Sequence, residues 1–393
     1  MRLGVIADTR HHRDGAGRLC TIEPVAAQLE QFAAMFDEVV LLVPLWPGPP
    51  PAGFRPYRCT NVSIVALRPA GGTTARAKAV LALRVPAWAA AMRRLLRDVD
   101  VVHLRAPCNV ALLGLAASRL SSRPRAAMYA GNWDGYDGEP MTYRAQRWLL
   151  ARPSFGGPVT VYTDRRTAAS HVVPFFSPSF TLAEWEAESA AVAQKVDALG
   201  HPGPVRLVTV GHLAANKNQA TIVEAVARLR AQGIDTRLDV VGDGPLAGVL
   251  TRRRDVLGLR EAVRFHGRLP LDGVRDRYRS ADFNVLASRS EGYPKVVAEG
   301  MVCGAVPVMS RVPMADALVA GGVRGVTFAG DDPDALAGAI ASLASDPARV
   351  AAMVAAGRDY TRTVTLDAFG AQLHDILETH WGIVLPSPAV LPA

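Results

Sequence analysis

Short apolar runs alternate with longer amphipathic segments along almost the whole chain. The runs have the length of buried strands, and the segments between them place apolar residues at helical spacing. In the first half the predicted strands are Leu3–Ala7, Glu38–Val43, Val62–Leu67, Val101–Leu104 and Ala126–Tyr129. In the second half they are Arg206–Val210, Leu238–Val241, Val263–Phe265, Phe283–Leu286 and Val306–Met309. This alternation predicts an α/β protein with parallel sheets wound by helices.

The segment after the first strand has the apolar spacing of an amphipathic helix. Its apolar positions recur at i, i+4, i+7 and i+11, at Val25, Leu29, Phe32 and Phe36. Thr21 is placed to cap the start of the helix, and Pro24 suits its first turn. We therefore predict a helix here with one buried face.

The chain of 393 residues, 49% of them apolar, is too long for one core and favours two domains. Proline and glycine punctuate residues 172–204, which we take as the join. We predict a first domain over 1–200, including a linker over about 172–200, and a second over 201–365. Residues 366–393 are predicted to form a helix and a tail. The helix, marked by Phe369, Leu373, Ile376 and Leu377, is placed to pack back on either domain, and the first is the expected partner.

Two doubly wound, Rossmann-like domains of this kind face each other across a cleft. Ligands bind such sheets at the carboxyl ends of their strands. The predicted ligand site therefore lies in that cleft.

The net charge of +8 is concentrated in the first half, where residues 1–200 carry +7. Residues 39–97 hold nine basic side chains and no acidic one. One interpretation is a solvated basic face, and the other is a patch that attracts an anionic partner. The part ARAKAVLALRVPAWAAAMRRLLR mixes basic with apolar residues, which suits an anionic membrane surface. Nucleic acid is not expected, because no nucleic-acid motif accompanies the charge.

Cysteine usage and the apolar runs indicate the compartment. The four cysteines are far apart and form no C-x-x-C pair, which predicts reduced thiols and no metal site. The opening MRLGVIAD has a strand pattern and not that of a signal peptide, and no apolar run approaches the ~18–20 residues of a membrane span. We expect a cytoplasmic protein, either free or peripheral at the inner face of the membrane.

The most informative segment is EGYPKVVAEGMVCGAVP, from Glu291 to Pro307. A polar turn follows the strand FNVLA, and Pro294 stands where a helix begins. Backbone amides at a helix N-terminus form an anion site. Glu299 follows Glu291 by eight residues, so one carboxylate stands in the loop and the other on the helix. The alternative is a turn glutamate and an unrelated surface glutamate.

A second segment, VGHLAANKN, runs from Val210 to Asn218. The strand ends at Gly211, a polar loop follows, and a helix opens near Asn218. Lys217 lies at this crossing, where a cation reaches a diphosphate held at the strand ends. By itself, a loop lysine is more often simply solvated.

Together these segments resemble the nucleotide-sugar-binding domain of retaining glycosyltransferase family 4, whose members have the GT-B fold. The resemblance covers roughly residues 205–345. It rests on the E-x7-E core from Glu291 to Glu299, followed by Gly-Met-x-Cys-Gly-x-x-Pro, beside the G-x-L-x-x-x-K-N segment. The first half resembles the family only in its opening strand, its Gly15/Gly17 loop and DVVHLRAP.

The resemblance implies roles for the residues of the second half. Glu291 contacts donor-sugar hydroxyls, Glu299 the nucleoside ribose, and Lys217 the diphosphate. The family places arginine five residues before that lysine, where this chain has His212, and an imidazole lacks the bidentate hold of a guanidinium. The remaining donor-binding positions are Gly211, then Gly292, Tyr293, Lys295 and Val296 around the phosphates, and Phe265, His266 and Arg268 near the base, where recognition is expected largely through backbone groups.

The roles implied for the first half are weaker. His103 and Arg105 correspond to a pair that touches the donor sugar or reaction centre, or His103 is a structural histidine. Acceptor-binding residues are Arg105 with Asn132, Trp133 and Asp134, unless the last three only form a turn with a packed indole. Gly15 and Gly17 are placed to approach the diphosphate.

The resemblance implies a retaining, metal-independent transferase that moves a hexosyl-type sugar from a UDP- or GDP-linked donor to a hydroxyl. The donor is a co-substrate, and neither a cofactor nor a metal is expected. We read Asp98-Val-Asp100 as a helix-to-strand turn and not as a metal-binding D-x-D. The favoured acceptor is lipid-linked or a polysaccharide precursor. The alternatives are a soluble small-molecule acceptor, a GT-B epimerase or phosphorylase, and a catalytically degenerate nucleotide-sugar-binding protein.

Overall fold

The computed structural model describes residues 1–72, 74–136, 138–163, 165, 167 and 169–387. It divides into two compact units. The first contains Met1–Pro178 and the segment from Leu366 onward, and the second is Ser179–Thr365. Each unit has its own sheet and its own apolar core.

The first unit is built on a seven-stranded, all-parallel sheet in the order β10-β9-β8-β7-β1-β4-β6. Its strands are β1 (Arg2–Ile6), β4 (Glu38–Pro44), β6 (Val62–Leu67), β7 (Val101–Ala106), β8 (Arg125–Asn132), β9 (Val159–Tyr162) and β10 (Val172–Pro174). Its helices are α1 (Glu23–Met35), α2 (Ala75–Asp98), α3 (Asn109–Ser118), α4 (Met141–Leu150) and α14 (Leu366–Trp381). The five strands predicted for this half are all present, and each predicted end lies within three residues of the observed one.

The helix after the first strand is confirmed, with a proline in its first turn, but its predicted cap is wrong. Thr21 lies in a strand, and its hydroxyl donates to the carbonyl of Arg10 (2.8 Å), while Ile22 occupies the N-cap position without a side-chain bond. The strand belongs to a small antiparallel sheet of β2 (His11–Arg13), β3 (Leu19–Ile22) and β5 (Phe54–Pro56). These short strands lack the apolar runs on which the prediction relied.

The second unit has a six-stranded parallel sheet in the order β13-β12-β11-β14-β15-β16. Its strands are β11 (Val205–Val210), β12 (Thr236–Val241), β13 (Val263–Gly267), β14 (Phe283–Leu286), β15 (Val306–Ser310) and β16 (Val326–Phe328). Its helices are α5 (Leu182–Ala187), α6 (Ser189–Asp197), α7 (Gln219–Ala231), α8 (Ala247–Val256), α9 (Leu271–Ser280), α10 (Lys295–Val302), α11 (Ala315–Val319), α12 (Pro333–Ala344) and α13 (Pro347–Arg362). All five predicted strands are present, and β16 adds a sixth.

The division between the units differs from the predicted domain limit at residue 200. Residues 179–200 pack on the second unit, where the Trp185 indole donates to the carbonyl of Arg358 (3.2 Å) and the Thr361 hydroxyl (3.0 Å). The Lys195 ammonium donates to three backbone carbonyls, of Tyr278, Ala281 and Cys303 (2.8–2.9 Å). Burial lowers the pKa of Lys195 to about 8. Proline and glycine residues on both sides of this segment predict a linker, and they do not reveal these bonds.

Residues on the other side of this division belong to the first unit. Residues 172–174, within the predicted join, form the edge strand β10. The helix α14 packs on α1, and the Phe369 ring lies against Phe175 at a centroid distance of 5.1 Å. The predicted tail extends to residue 393, and its last six positions lie outside the described residues.

Among the described residues, no single helix combines the length and hydropathy of a membrane span. Helices α12 and α13 reach that length and composition only as a pair, with a bend of 98° between them.

Candidate functional site

The sheet of the second unit has its topological switch point between β11 and β14. From β11 the chain continues to β12 and β13 on one side, and then to β14, β15 and β16 on the other. Loops after β11 and β14 therefore leave the carboxyl edge in opposite directions and open a crevice, where α/β sheets of this type bind ligands. The two segments singled out in the sequence are these two loops.

Glycines keep the ends of β11 and β12 free of side chains. Gly211 follows β11 with φ 156°, and a Cβ added to it would meet no atom within 4 Å. Gly242 follows β12 with φ 133°, and a Cβ there would lie 1.9 Å from the carbonyl oxygen of Gly211. Backbone therefore lines this part of the crevice, and a ligand can approach it closely.

Lys217 is held over the switch point by a short 3-10 turn, Ala215–Lys217. The next residue, Asn218, has φ 50°, and its side-chain amide donates to the carbonyl of Gly330 (3.1 Å) and the carboxylate of Asp331 (2.7 Å). These bonds fix the point at which α7 begins. The Lys217 ammonium donates to Glu291 Oε1 at 2.6 Å, and their side chains are 25% and 11% exposed.

Glu291 is positioned by its own loop as well as by the lysine. The Ser288 hydroxyl donates to Glu291 Oε1 (2.6 Å), and the Ser288 carbonyl accepts a bond from the Ser310 hydroxyl (2.5 Å). The Arg289 amide donates to the carbonyl of Asn216 (2.8 Å), which ties the loop after β14 to the loop after β11. Lys217 and Glu291, 74 residues apart, thus form one rigid charged pair.

The N-terminus of α10 lies beside this pair in the chain. The amides of Gly292 and Val296 donate to no atom in the described part of the chain, as an anion site requires. The amide of Lys295 does not fit its predicted phosphate contact, because it donates to the carbonyl of Tyr293 (3.0 Å). Of the four amides predicted to line the phosphate, those of Gly292 and Val296 therefore meet this requirement of an anion site.

Glu299 lies on α10, separate from Glu291. One carboxylate oxygen accepts from the Ser179 hydroxyl (2.6 Å), and the other accepts from the Tyr278 hydroxyl (3.4 Å). Burial and the nearby Glu299 raise the pKa of Tyr278 well above its usual value, which keeps this hydroxyl a donor. The contact with a ribose remains a prediction.

His212 does not present its whole imidazole to the crevice. Its Nδ1 donates to the carbonyl of Asp243 (2.7 Å), and its own carbonyl accepts from the Gln219 side chain (3.0 Å). The residue is exposed, and only Nε2 is left for a ligand. At this position His212 therefore offers a ligand one nitrogen, whereas the arginine of the family offers a bidentate guanidinium.

The residues predicted near the base have other partners. His266 Nε2 lies 2.6 Å from the carboxylate of Asp239, and Phe265 faces the guanidinium of Arg254 at 5.7 Å. The carbonyl of Gly267 accepts from the amide of Gly242 (2.8 Å). Arg268 is exposed. The two ring side chains therefore have partners within the unit. Base recognition by this segment, expected largely through backbone groups, stays a prediction.

In the first unit, His103 does not fit a catalytic role. Its side chain is 1% exposed in the middle strand β7, and its ring packs on Phe32 of α1 at a centroid distance of 4.7 Å. Burial and the charge of Arg105 lower the pKa of His103 to about 3, so the imidazole is neutral. This environment fits the structural alternative raised by the sequence.

Arg105 shares that face of β7 and is also buried. One guanidinium nitrogen donates to the Gln28 side chain (2.9 Å), and its Nη1 has no partner in the described part of the chain. Burial lowers its pKa. In this conformation Arg105 is not presented to an acceptor.

The loop after β8 forms the packed turn that the sequence left as the alternative. Asn132 closes the turn by accepting from the amide of Asp134 (2.9 Å) and donating to the carbonyl of Gly135 (3.0 Å). The Trp133 ring packs edge-on against Tyr129 at 5.3 Å. Asp134 lies 3.8 Å from Arg165. Acceptor contacts through these residues stay a prediction, and Asp137 of the same loop lies outside the described residues.

Gly15 and Gly17 lie at the tip of the β2–β3 hairpin. The Asp14 carboxylate accepts from the amides of Ala16 and Arg18, and Gly17 has φ 77°. The loop therefore joins two antiparallel strands. An approach of Gly15 and Gly17 to the diphosphate stays a prediction.

Asp98-Val-Asp100 is the predicted helix-to-strand turn between α2 and β7. The Arg2 guanidinium donates to the carbonyl of Asp98 (2.7 Å), and the Arg2 amide donates to the carboxylate of Asp100 (2.8 Å). Among the described residues, no group of three or more histidine, cysteine, aspartate or glutamate side chains is arranged to hold a metal ion.

Sequence reasoning missed the residues that support the pair. Ser288, Ser310 and Asn218 position the two loops through hydrogen bonds, and Ser179 binds Glu299 from the segment assigned to the linker. Ser288 is in the quoted polar turn, so its proximity to Glu291 was the available signal. The other three are distant in sequence from their partners.

Comparisons with known proteins show what the chain resembles. The family model "Glycosyl transferases group 1" matches residues 194–360, which include both loops of the crevice. A GDP-mannose-dependent alpha-(1-6)-phosphatidylinositol monomannoside mannosyltransferase of Mycolicibacterium smegmatis is 29% identical over 74% of this chain and 79% of its own length. The protein of the same description from Mycobacterium tuberculosis is 26% identical over 79% and 85%. The matches support a glycosyltransferase.

Solved structures give the fold class. HepE of Anabaena, in complex with UDP and glucose, has a TM-score of 0.70 at 16% identity and covers 96% of this chain and 100% of its own. Sucrose-phosphate synthase of Thermosynechococcus elongatus has a TM-score of 0.73 at 17% identity, covering 97% and 99%. The glycosyltransferase thus has the two-unit α/β fold of the GT-B class.

Proposed function

We propose that the protein is a retaining, metal-independent glycosyltransferase of family 4 that transfers mannose from GDP-mannose to a hydroxyl of a lipid-linked, inositol phosphate-type acceptor. The observation that carries the proposal is the Lys217–Glu291 pair at the switch point of the second sheet. GDP-mannose and the acceptor class are supported by the relatives, whose descriptions name GDP-mannose and phosphatidylinositol mannosides. The proposed place of action is the cytoplasm, at the inner face of the membrane.

In the proposed mechanism the second unit stabilises the departing nucleoside diphosphate. Lys217 supplies a positive charge, and the amides of Gly292 and Val296 at the N-terminus of α10 supply donors. The acceptor hydroxyl attacks the anomeric carbon from the side on which the diphosphate leaves, and the leaving phosphate takes up the hydroxyl proton. No side-chain nucleophile, cofactor or metal takes part.

Glu291 has two tasks in this proposal. Its carboxylate holds the ammonium of Lys217 at 2.6 Å before the donor arrives, which reduces the reorganisation needed on binding. It also accepts hydrogen bonds from hydroxyls of the donor sugar. His103 is given no role, because its imidazole is buried and neutral.

Donor identity is tested by thermal unfolding with GDP-mannose, UDP-sugars and ADP-sugars. At a concentration of about 100 Kd, the true donor should stabilise the second unit by about 2.7 kcal/mol, which raises Tm by roughly 5–10 °C. We expect this shift with GDP-mannose and a much smaller one with the other donors. No shift with any of the three classes would contradict a nucleotide-sugar enzyme.

The same protein is then assayed for mannosyl transfer to phosphatidylinositol monomannoside, with the anomeric configuration of the product read by NMR. Product with the donor's configuration supports retention. Donor binding with neither transfer nor hydrolysis would favour the degenerate binding protein that the single available nitrogen of His212 suggests. Transfer only to soluble acceptors would replace the lipid acceptor.

Helix α2 supports an additional proposal, that the protein binds an anionic membrane surface through its basic stretch. The C-terminal half of α2 is packed in the first unit, with Trp88 and Met92 buried. The N-terminal half is largely exposed, with Val80 37% and Leu83 80% accessible among basic residues. An apolar and basic helix face suits a membrane surface.

Replacing Arg76, Lys78 and Arg84 together with glutamine is expected to weaken binding to phosphatidylinositol-containing vesicles roughly 10²-fold, because each basic residue near an anionic surface contributes about 1 kcal/mol. Co-sedimentation measures the change. The control replaces three exposed arginines of the second unit, Arg237, Arg252 and Arg264, with glutamine. Equal losses in both triple variants, or none in the α2 variant, would contradict the proposed surface.

A further inference from the structure

Helix α4 of the first unit leaves a large apolar face uncovered. Met141, Ala145 and Trp148 recur at i, i+4 and i+7, so they share one side of the helix. Met141 is 82% and Trp148 55% exposed, whereas Gln146 and Leu150 are buried on the other side. Exposed aromatic and thioether side chains grouped in this way mark an interaction site.

This face borders a groove of about 650 Å³, which is in the range of small-molecule sites. Its lining is mostly apolar and includes Trp133, which stands on the turn directly after β8 and packs against Tyr129. The ten residues of α4 span about 15 Å. The groove thus has an apolar floor that starts at the carboxyl end of β8.

The rim of the groove is cationic. Arg144 lines it, and the guanidinium of Arg152 stacks on the Trp148 ring at 3.6 Å. Both arginines are exposed, and within the described residues neither forms an ion pair with an acidic group. Arg147 differs, because it is bound to the buried carboxylate of Glu139 at 2.6 Å. Two unpaired guanidinium groups beside an apolar floor are complementary to an anionic amphiphile.

We propose that the α4 groove, lined by Trp133, Met141, Arg144 and Trp148 and flanked by Arg152 on the Trp148 ring, binds one anionic phospholipid molecule. Its acyl chain lies on Met141, Trp148 and Trp133, and its phosphate is bound by Arg144 and Arg152. A free sugar phosphate lacks the chain that the floor requires, and a zwitterionic lipid lacks the net charge that the rim requires. The inference deepens the proposed function and rests on it, since the occupant has the chemistry of the proposed acceptor.

The test uses the full chain and dioctanoyl phosphatidylinositol below its critical micelle concentration, so that no bilayer is present and α2 has no surface to bind. Isothermal titration should show saturable binding of one lipid per chain. Replacing Trp148 with serine, or Arg144 and Arg152 together with glutamine, should weaken binding about tenfold or more, since each change removes about 1.4 kcal/mol or more of interaction. Met141→Ser is a second variant of the floor.

Trp46→Ser is the matched control. Trp46 is 38% exposed, and the guanidinium of Arg10 stacks on its ring at 4.2 Å. The first unit thus contains a second arginine–tryptophan stack, away from the groove. Its replacement should leave the lipid affinity unchanged, as should dioctanoyl phosphatidylcholine if added as a competitor. Wild-type affinity in the Trp148 and double-arginine variants overturns the proposal, and so does equal affinity for inositol phosphate without chains.

The test of the groove and the test of the proposed function can fail independently of each other. Trp148→Ser should retain the full thermal shift with GDP-mannose, because none of the proposed nucleotide-sugar-binding residues of the second unit lines the groove. A wild type that binds donor and transfers mannose, with groove variants that bind lipid normally, refutes the groove alone. Groove-dependent lipid binding without any donor shift refutes the proposed transferase alone.

Discussion

Replacing Lys217 with methionine is expected to lower kcat for mannosyl transfer by about 10²–10³, the range found when one charge-stabilising group is removed from an active site. In the proposed mechanism, the variant loses the cation that neutralises the departing diphosphate. It also leaves the Glu291 carboxylate, only 11% exposed, without its ammonium partner at 2.6 Å. The carboxylate then repels the diphosphate, so the KM for the donor should rise as well. Steady-state kinetics with GDP-mannose measures both parameters.

Arg228→Met provides the matched control in the same unit. Arg228 is ion-paired with Asp334 at 2.9 Å, on the exposed face of α7, and its loss removes one paired cation without touching the crevice. Its kcat should stay within about twofold of the wild type. The double variant Lys217→Met/Glu291→Gln should cost less than the sum of the single changes, because the two groups act as a pair. A wild-type kcat in Lys217→Met would contradict the proposed site.

The sequence predicted the parallel sheets well because buried parallel strands have continuous apolar runs. Val306–Ser310, for example, is buried at every position and needs no distant information to be recognised. The strand His11–Arg13 was missed because its sequence, HHR, has no such run. It forms a strand only because Leu19–Ile22 and Phe54–Pro56 supply its sheet, and that pairing is tertiary.

The candidate site was predictable to a different degree in the two halves. The local pattern and the resemblance both point to Lys217 and Glu291, but their ion pair depends on β11 and β14 being neighbours, which spacing along the chain does not reveal. His103 and Arg105 are two residues apart on β7, so their side chains lie on the same face of the sheet. Which helix covers that face is not readable from the strand, and the packing of α1 decides that His103 is buried. Local chemistry was therefore predictable, whereas exposure was not.

Gly242→Ala is expected to destabilise the second unit by about 3 kcal/mol or more and to abolish the thermal shift with the donor. The added Cβ would lie 1.9 Å from the carbonyl oxygen of Gly211, which is backbone and can only move with the end of β11. The φ of 133° is also unfavourable for alanine. Both effects displace the loop that carries His212 and Lys217. A fall in Tm of roughly 6–12 °C should follow.

The control for this change is Gly248→Ala in α8. A Cβ there would meet only the end of the Arg252 side chain, at 3.8 Å, and the backbone is helical. Alanine should therefore raise stability by about 0.5–1 kcal/mol, by favouring the helix and restricting the unfolded chain. If Gly242→Ala had a Tm as high as that of Gly248→Ala and kept its donor shift, close contact between the ends of β11 and β12 would not be what shapes the proposed diphosphate site. If it lost the donor shift at unchanged Tm, the glycine would serve the ligand's approach and not the packing of the strand ends.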